Sequence, residues 1–223
     1  MKKIVFVLVV FSICIACGTH KERKEFRVQF NEYLISKGLD PKKVDGMEYI
    51  EEYMEVEEER KKEKLLNHPY LKTNQVYISK DQEDDYYVFK VYDDEGHAYI
   101  GSSNIVGENL SFPKDGVITV TDPIILDFLG FYKLESNKLT IKRWRNTAYR
   151  KWYENDIGFV RKDSLYITGW YYAKEIGFKR KWLAITHKSD FKARYAPNLK
   201  ARRKPGRNNT KFFLIEEGSF KVK

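Results

Sequence analysis

The sequence predicts a mainly β protein, an antiparallel up-and-down barrel or sandwich preceded by a short helical segment. Three observations carry this. Apolar residues recur with a helical period from Lys21 to about Asn67, then with a period of two from Tyr70 onward. Clusters of turn-forming residues separate the period-two stretches, so successive strands join as hairpins. Between Val76 and Ile185, with "FFLI" at 212–215 added, roughly eight to ten short strands can be placed, and that rhythm suits closure or stacking of one meandering sheet.

The helical segment comes first. Phe26, Phe30, Tyr33 and Leu34 fall at i, i+4, i+7 and i+8, along one face of a helix. Gly38 is placed to end it in the left-handed conformation, and "LDPKK" offers Asp40 as a new N-cap with Pro41 at the first helical position. In the second helix Met47, Ile50 and Met54 carry the apolar face, and Glu57–Lys61 and Glu58–Lys62 are spaced for ion pairs. His68-Pro69 stops it. The acids and bases of "EVEEERKKEK" nearly balance, which reads as a solvated face.

The strands follow. "YYVFKVYDDEGHAYIGS" alternates on both sides of a turn whose Gly96 suits the left-handed last position of a three-residue loop. In "FYKLESNKLTIKRW" a two-residue turn at Ser136-Asn137 sets Leu134 opposite Leu139, Tyr132 opposite Ile141 and Glu135 opposite Lys138. In "GFVRKDSLYITGWYY" a turn at Lys162-Asp163 sets Val160 opposite Leu165 and Phe159 opposite Tyr166. "GFKRKWLAIT" supplies a further strand, with Phe178, Trp182 and Ala184 evenly spaced.

Location is written at the other end of the chain. Lys2 and Lys3 precede an apolar run from Ile4 to Ala16 broken only by Ser12. A spanning helix takes roughly 20 apolar residues; this run is shorter and reads as an export signal. It ends in "CIACG", with small Ala16 before Cys17 and Gly18 after it, which resembles the lipobox of bacterial lipoproteins. The resemblance implies cleavage before Cys17, acylation of Cys17 with palmitate-type chains, and a place in the cell envelope on a bacterial membrane, the outer one by preference. The chain then divides into a signal peptide (1–16), a lipidated N-terminus with the helical segment (17–68) and an antiparallel β domain (69–223).

The only other cysteine, Cys14, lies within the signal, so an acylated mature chain has no free thiol. That excludes a disulfide framework, a cysteine nucleophile and thiolate metal sites. The formal charge of +9, of which Lys2 and Lys3 leave with the signal, would suit nucleic acid in a cytosolic protein. In an exported one it suits anionic lipids, lipopolysaccharide or acidic glycans instead.

Over roughly 70–190 the rhythm of an aromatic strand, an acidic-Gly turn and the hairpins "GFYKLESNKLTIKRW" and "GFVRKDSLYIT" resembles the lipocalin-like domains of bacterial envelope lipoproteins. The resemblance implies an up-and-down barrel around a lumen.

Candidate sites are non-catalytic. No G-x-S-x-G elbow, phosphate loop or zinc-hydrolase helix occurs, His20, His68, His97 and His187 share no metal spacing, and "DQEDDYY" lacks the EF-hand glycine and distal glutamate. No cofactor or metal is indicated. Tyr132, Trp144, Trp152, Trp170 and Trp182, with Arg143 and Arg180 close in sequence, are candidates for a pocket that stacks on a sugar or apolar ligand and holds an anionic group. Residues 198–211 read as a mobile basic loop in which Lys200, Arg202, Arg203, Lys204 and Arg207 could grip anions. Two functions remain: a lipid-anchored barrel that binds an apolar or glycan ligand, or an interaction lipoprotein whose filled barrel contacts an envelope partner or anionic polymer.

Overall fold

The computed structural model of the chain describes residues 23–80, 86–105, 107, 109–146, 148, 151–173, 186–207 and 210–222. These form two compact units, divided between Arg60 and Lys61. The strand expected over "GFKRKWLAIT" and the signal with Cys17 lie outside the described residues.

The helical unit opens with α1 (23–36). Gly38, at φ +75°, ends it: the Gly38 N–H donates to Ile35 O (2.9 Å) and the Leu39 N–H to Leu34 O (3.0 Å), the Schellman pattern expected of a glycine there. Asp40 caps only one turn, through the Lys42 N–H. The chain restarts at Asp45, which caps the 3-10 turn Gly46–Tyr49 leading into α2 (Ile50–Leu66).

The buried face here differs from expectation. Met47 and Met54 are exposed, and Tyr53 is buried with Tyr49 and Val56 packed beside it. The aromatic face of α1 decides this, because Tyr53 stands edge-on to Phe26 (5.6 Å) and Phe30 (5.2 Å). Such pairs add about 0.5–1.5 kcal/mol beyond the area they bury, which a flexible methionine does not match. Glu57 pairs with Arg60 rather than with Lys61.

The second unit is built from β1 (Val76–Lys80), β2 (Tyr86–Tyr92), β3 (His97–Asn104), β4 (Val117–Thr119), β5 (Ile124–Glu135), β6 (Lys138–Asn146), β7 (Lys151–Arg161), β8 (Ser164–Ala173), β9 (His187–Tyr195), β10 (Leu199–Pro205) and β11 (Lys211–Lys221). Pairing runs β5–β3–β2–β1–β9–β8–β7–β6, and β6 pairs again with β5, so eight antiparallel strands close into a barrel. Closure leaves these strands without a free edge. β10, β11 and β4 extend from the first residues of β5 as a second layer.

The expected hairpins are present in register. Leu134 faces Leu139 and Tyr132 faces Ile141 across Ser136-Asn137, while Val160 faces Leu165 and Phe159 faces Tyr166 across Lys162-Asp163. Gly96 sits at φ +87° in the β2–β3 turn.

Strand β2 serves two cores, which is why its sequence is apolar almost throughout. Tyr87, Phe89 and Val91 point outward into a core shared with the second layer, against Ile118, Leu126, Phe213 and Ile215. Tyr92 points into the barrel. At the end of the barrel that carries the tight turns, Leu71, Tyr77, Tyr92, Tyr132, Leu139, Val160 and Leu165 fill the lumen, and Leu65 at the end of α2 packs against them.

The basic loop expected over 198–211 is instead a hairpin. β10 pairs with β11 from Leu199 to Pro205, with one register shift between Lys200 and Ala201, and the chain turns near Gly206-Arg207. Its charges do not repel it into disorder because acids meet them. Lys200 pairs with Glu217 (2.8 Å), and Arg202 (3.3 Å) and Lys204 (2.8 Å) pair with Glu216. Arg203 reaches the acidic β2–β3 turn, pairing with Asp93 (3.3 Å), Asp94 and Glu95 (2.8 Å).

Candidate functional site

The apolar filling of the lumen stops about halfway along the barrel. Beyond it the inward positions are charged. β2 contributes Lys90, one step from Tyr92 on the same face. β6 contributes Arg143 and Arg145 after Leu139 and Ile141, and β7 contributes Asp156, Glu154 and Trp152 opposite them: the register pairs Ile141 with Asp156, Arg143 with Glu154 and Arg145 with Trp152. On β8 the register sets Trp170 beside Asp156 and Tyr172 beside Glu154, and β9 brings His187 beside Trp170 and Phe191 beside Ile167. Strand alternation does the positioning, since residues two apart share a face.

The contacts form one network. Arg143 Nη2 donates to Asp156 Oδ1 (2.6 Å) and lies 3.2 Å from Glu154 Oε2. Arg145 Nε donates to the same Glu154 oxygen (2.9 Å), and Trp152 Nε1 donates to Glu154 Oε1 (3.0 Å). Lys90 Nζ lies 3.9 Å from the centroid of the Phe191 ring. No carboxylate stands within ion-pair reach of Lys90 among the described residues. The Tyr92 hydroxyl and Arg143 Nε are buried without a hydrogen-bond partner among the described residues. Trp170 stacks on His187 at 4.1 Å, with Tyr172 edge-on to it at 5.2 Å.

Burial shapes the charges. Lys90 is 6% exposed, and desolvation pushes its amine down to about 8 although Asp156 pulls it up. Desolvation also raises Asp156, against the opposing pull of Arg143 and Lys90. It would raise Glu154 as well, but hydrogen bonds from Arg145 and Trp152 outweigh it and hold that carboxyl below its usual range. Among the described residues of this network three cations thus face two carboxylates, and one positive charge is left over.

The expected pocket residues divide. Arg143, Trp152 and Trp170 belong to the charged half of the lumen. Tyr132 lies in the filled half, where its hydroxyl donates to Asp93 O (2.6 Å) and its ring meets Tyr92 edge-on. Trp144 faces the opposite side of β6, exposed and packed on Tyr153 at 4.5 Å. Trp182 and Arg180 lie outside the described residues. Sequence reasoning missed Lys90, Glu154, Asp156 and Phe191. A signal for Lys90 was present: a lone cation in "VFKVY", at an inward position of a strand apolar on both faces.

A second polar cluster is structural. Asp93, fully buried, accepts from the backbone N–H groups of Glu95 (2.9 Å) and His97 (2.7 Å) and from the Tyr99 hydroxyl (3.2 Å), and sits 3.0 Å from His97 Nδ1. Asp93, Glu95 and His97 bring their ligand atoms within 4.8 Å of one another, as a metal site would. Arg203 and Lys211 occupy that negative charge instead.

Compared with known proteins, the chain matches no family model, no curated protein and no solved structure. What the geometry defines is an eight-stranded antiparallel barrel, packed solid at one end and charged within at the other.

Proposed function

We propose that this is an exported protein, anchored through acylated Cys17 to a bacterial membrane, whose barrel is a non-catalytic binding module for an apolar or glycan ligand. The ligand enters the charged half of the lumen and lies against Trp152 and Trp170. The observation that carries this reading is the buried network itself. Replacing a buried ion pair by well-packed apolar side chains is often neutral or stabilising by about 1–4 kcal/mol, so a barrel that only displayed its outer surface would gain by filling this half as it fills the other. Charged groups held out of water in a lumen beside aromatic rings are the usual make-up of a ligand site.

Native mass spectrometry of the full chain, extracted from membranes in mild detergent, tests the reading. A small molecule should accompany the protein and leave on activation. Trp170→Leu and Trp152→Leu should lower its occupancy at least fivefold, whereas Trp144→Leu, on the outer face, should not. A bare mass in every preparation, or equal loss from all three variants, counts against it.

The interaction reading is favoured by a separate observation. Ile125, Phe128 and Phe131 are exposed on β5, and Arg207, exposed at the nearby β10–β11 turn, makes no ion pair among the described residues. An envelope partner or anionic polymer would dock there without using the lumen.

A further inference from the structure

The charged half of the lumen holds more donors than it uses. Lys90 carries three N–H groups and, among the described residues, meets only a ring face. Arg143 spends Nη2 on Asp156 and Glu154 while its Nε is buried without a hydrogen-bond partner among the described residues, and the Tyr92 hydroxyl is in the same condition. Lys90 and Tyr92 share the inward face of β2, and Arg143 enters the same half of the lumen from β6, where it meets Asp156 and Glu154 of β7. A buried donor without a partner costs more than a hydrogen bond returns, so an arrangement of this kind calls for an acceptor.

We propose that this half of the lumen is a carboxylate-binding site, in which Lys90 Nζ supplies the charge and Arg143 Nε and the Tyr92 hydroxyl supply directed hydrogen bonds. The proposal rests on the binding-module reading and adds the chemical class of what binds. Charge decides for a carboxylate over a phosphate ester. Among the described residues the network has one uncompensated positive charge, which a monoanion neutralises, whereas a phosphate monoester brings about −1.5 to −2 at neutral pH and would leave the network negative. Geometry limits the acid's depth, because Tyr92, Tyr132, Leu139 and Leu165 block the lumen beyond Lys90. The body of the ligand is therefore held between the charged floor and Trp152 and Trp170. An acidic sugar and a carboxylic acid with an apolar ring share this chemistry.

Isothermal titration of the full chain in detergent separates these sources, using two matched pairs: glucuronate against glucose, and benzoate against benzyl alcohol. In at least one pair the acid should bind tenfold or more tightly than its neutral partner. Lys90→Met should abolish that preference, and Lys90→Arg should keep part of it. The methionine replaces a buried charge by an apolar chain of similar length, so the barrel should remain folded. Nitrogen-detected NMR of the lysine amines gives an independent readout: the acid should move the Lys90 titration upward, toward the ordinary lysine value. An acid that binds no better than its neutral partner, or a preference that survives in Lys90→Met, overturns the carboxylate site. If the neutral compounds alone bind, the binding module stands without it; if none of the four binds, both fall.

Discussion

Holding Lys90 in the lumen costs stability, and the sign of that cost can be measured. Its amine is displaced from about 10.5 to about 8 by burial, with Asp156 on β7 opposing the shift, Arg143 on β6 adding to it and Phe191 on β9 underneath. Between those values the unfolded chain keeps a proton that the folded chain has released, so stability rises with pH across this window. Below it the penalty is fully present, at about 3 kcal/mol by the usual conversion of a pKa displacement. Lys90→Met should therefore stabilise the protein at pH 7 by up to about 3 kcal/mol, with a higher melting temperature. Urea unfolding of both proteins at pH 7 and at pH 9.5 checks this, since the advantage of the variant should shrink at the higher pH. An advantage that is the same at both values would trace it to packing and not to the buried charge, and a variant less stable at pH 7 would show that Lys90 is compensated within the fold.

At the scale of elements, the barrel depends on close approach between β7 and β8. Their register shifts between Ile157 and Gly158, and a Cβ on Gly158 would stand 1.9 Å from the Tyr166 carbonyl oxygen, a backbone atom that cannot move without its strand. Gly158→Ala should cost about 2–3 kcal/mol as the strands are forced apart. Hydrogen exchange should show the loss concentrated in the amides of β7 and β8; a variant as stable as the parent would mean the pair relaxes freely. The two hairpins around Ser136-Asn137 and Lys162-Asp163 were legible in the sequence because alternation and turn chemistry act over a few neighbouring residues. β10 was not, because its repulsion is local and its relief is distant: Arg203 is paired with Asp94 across 109 positions and with Glu95 across 108. The lumen network escaped for the same reason. Its members sit on β2, β6, β7, β8 and β9, and which of them meet is settled only when the sheet closes, so Arg143, Trp152 and Trp170 could be named from local clustering while Lys90 and Asp156 could not. Trp144 lies outside the lumen because adjacent residues of a strand face opposite sides, so its sequence neighbour Arg143 points inward while Trp144 packs on Tyr153 outside.

For the molecule as a whole, the barrel unit and the anchor are separable. The second unit begins at Lys61, and Leu65 and Leu71 belong to the filled end of the lumen, so a chain starting at Lys61 keeps every residue that closes the barrel. It should fold cooperatively, give a β-type circular dichroism spectrum and stay in the soluble fraction. No helix among the described residues is long and apolar enough to cross a membrane; the proposed attachment of the full chain is through acylated Cys17. A single acyl chain holds a protein only marginally, at about 0.8 kcal/mol per buried methylene, whereas two or more hold it stably. If Cys17 is the anchor as proposed, Cys17→Ala removes the acceptor of the thioether-linked chains and with it the substrate for cleavage and amine acylation. It should abolish labelling by a palmitate analogue and shift the protein out of the acylated membrane population. A high-salt wash distinguishes this from surface attraction, since exposed charges such as Arg207 are screened within about 3 Å at 1 M salt while buried acyl chains are indifferent to it. Wild-type protein should withstand the wash and the Lys61 chain should not need it. If Cys17→Ala stays on membranes after the wash with its signal removed, acylation is not the anchor, and the exposed Ile125, Phe128 and Phe131 of β5 become the next surface to test.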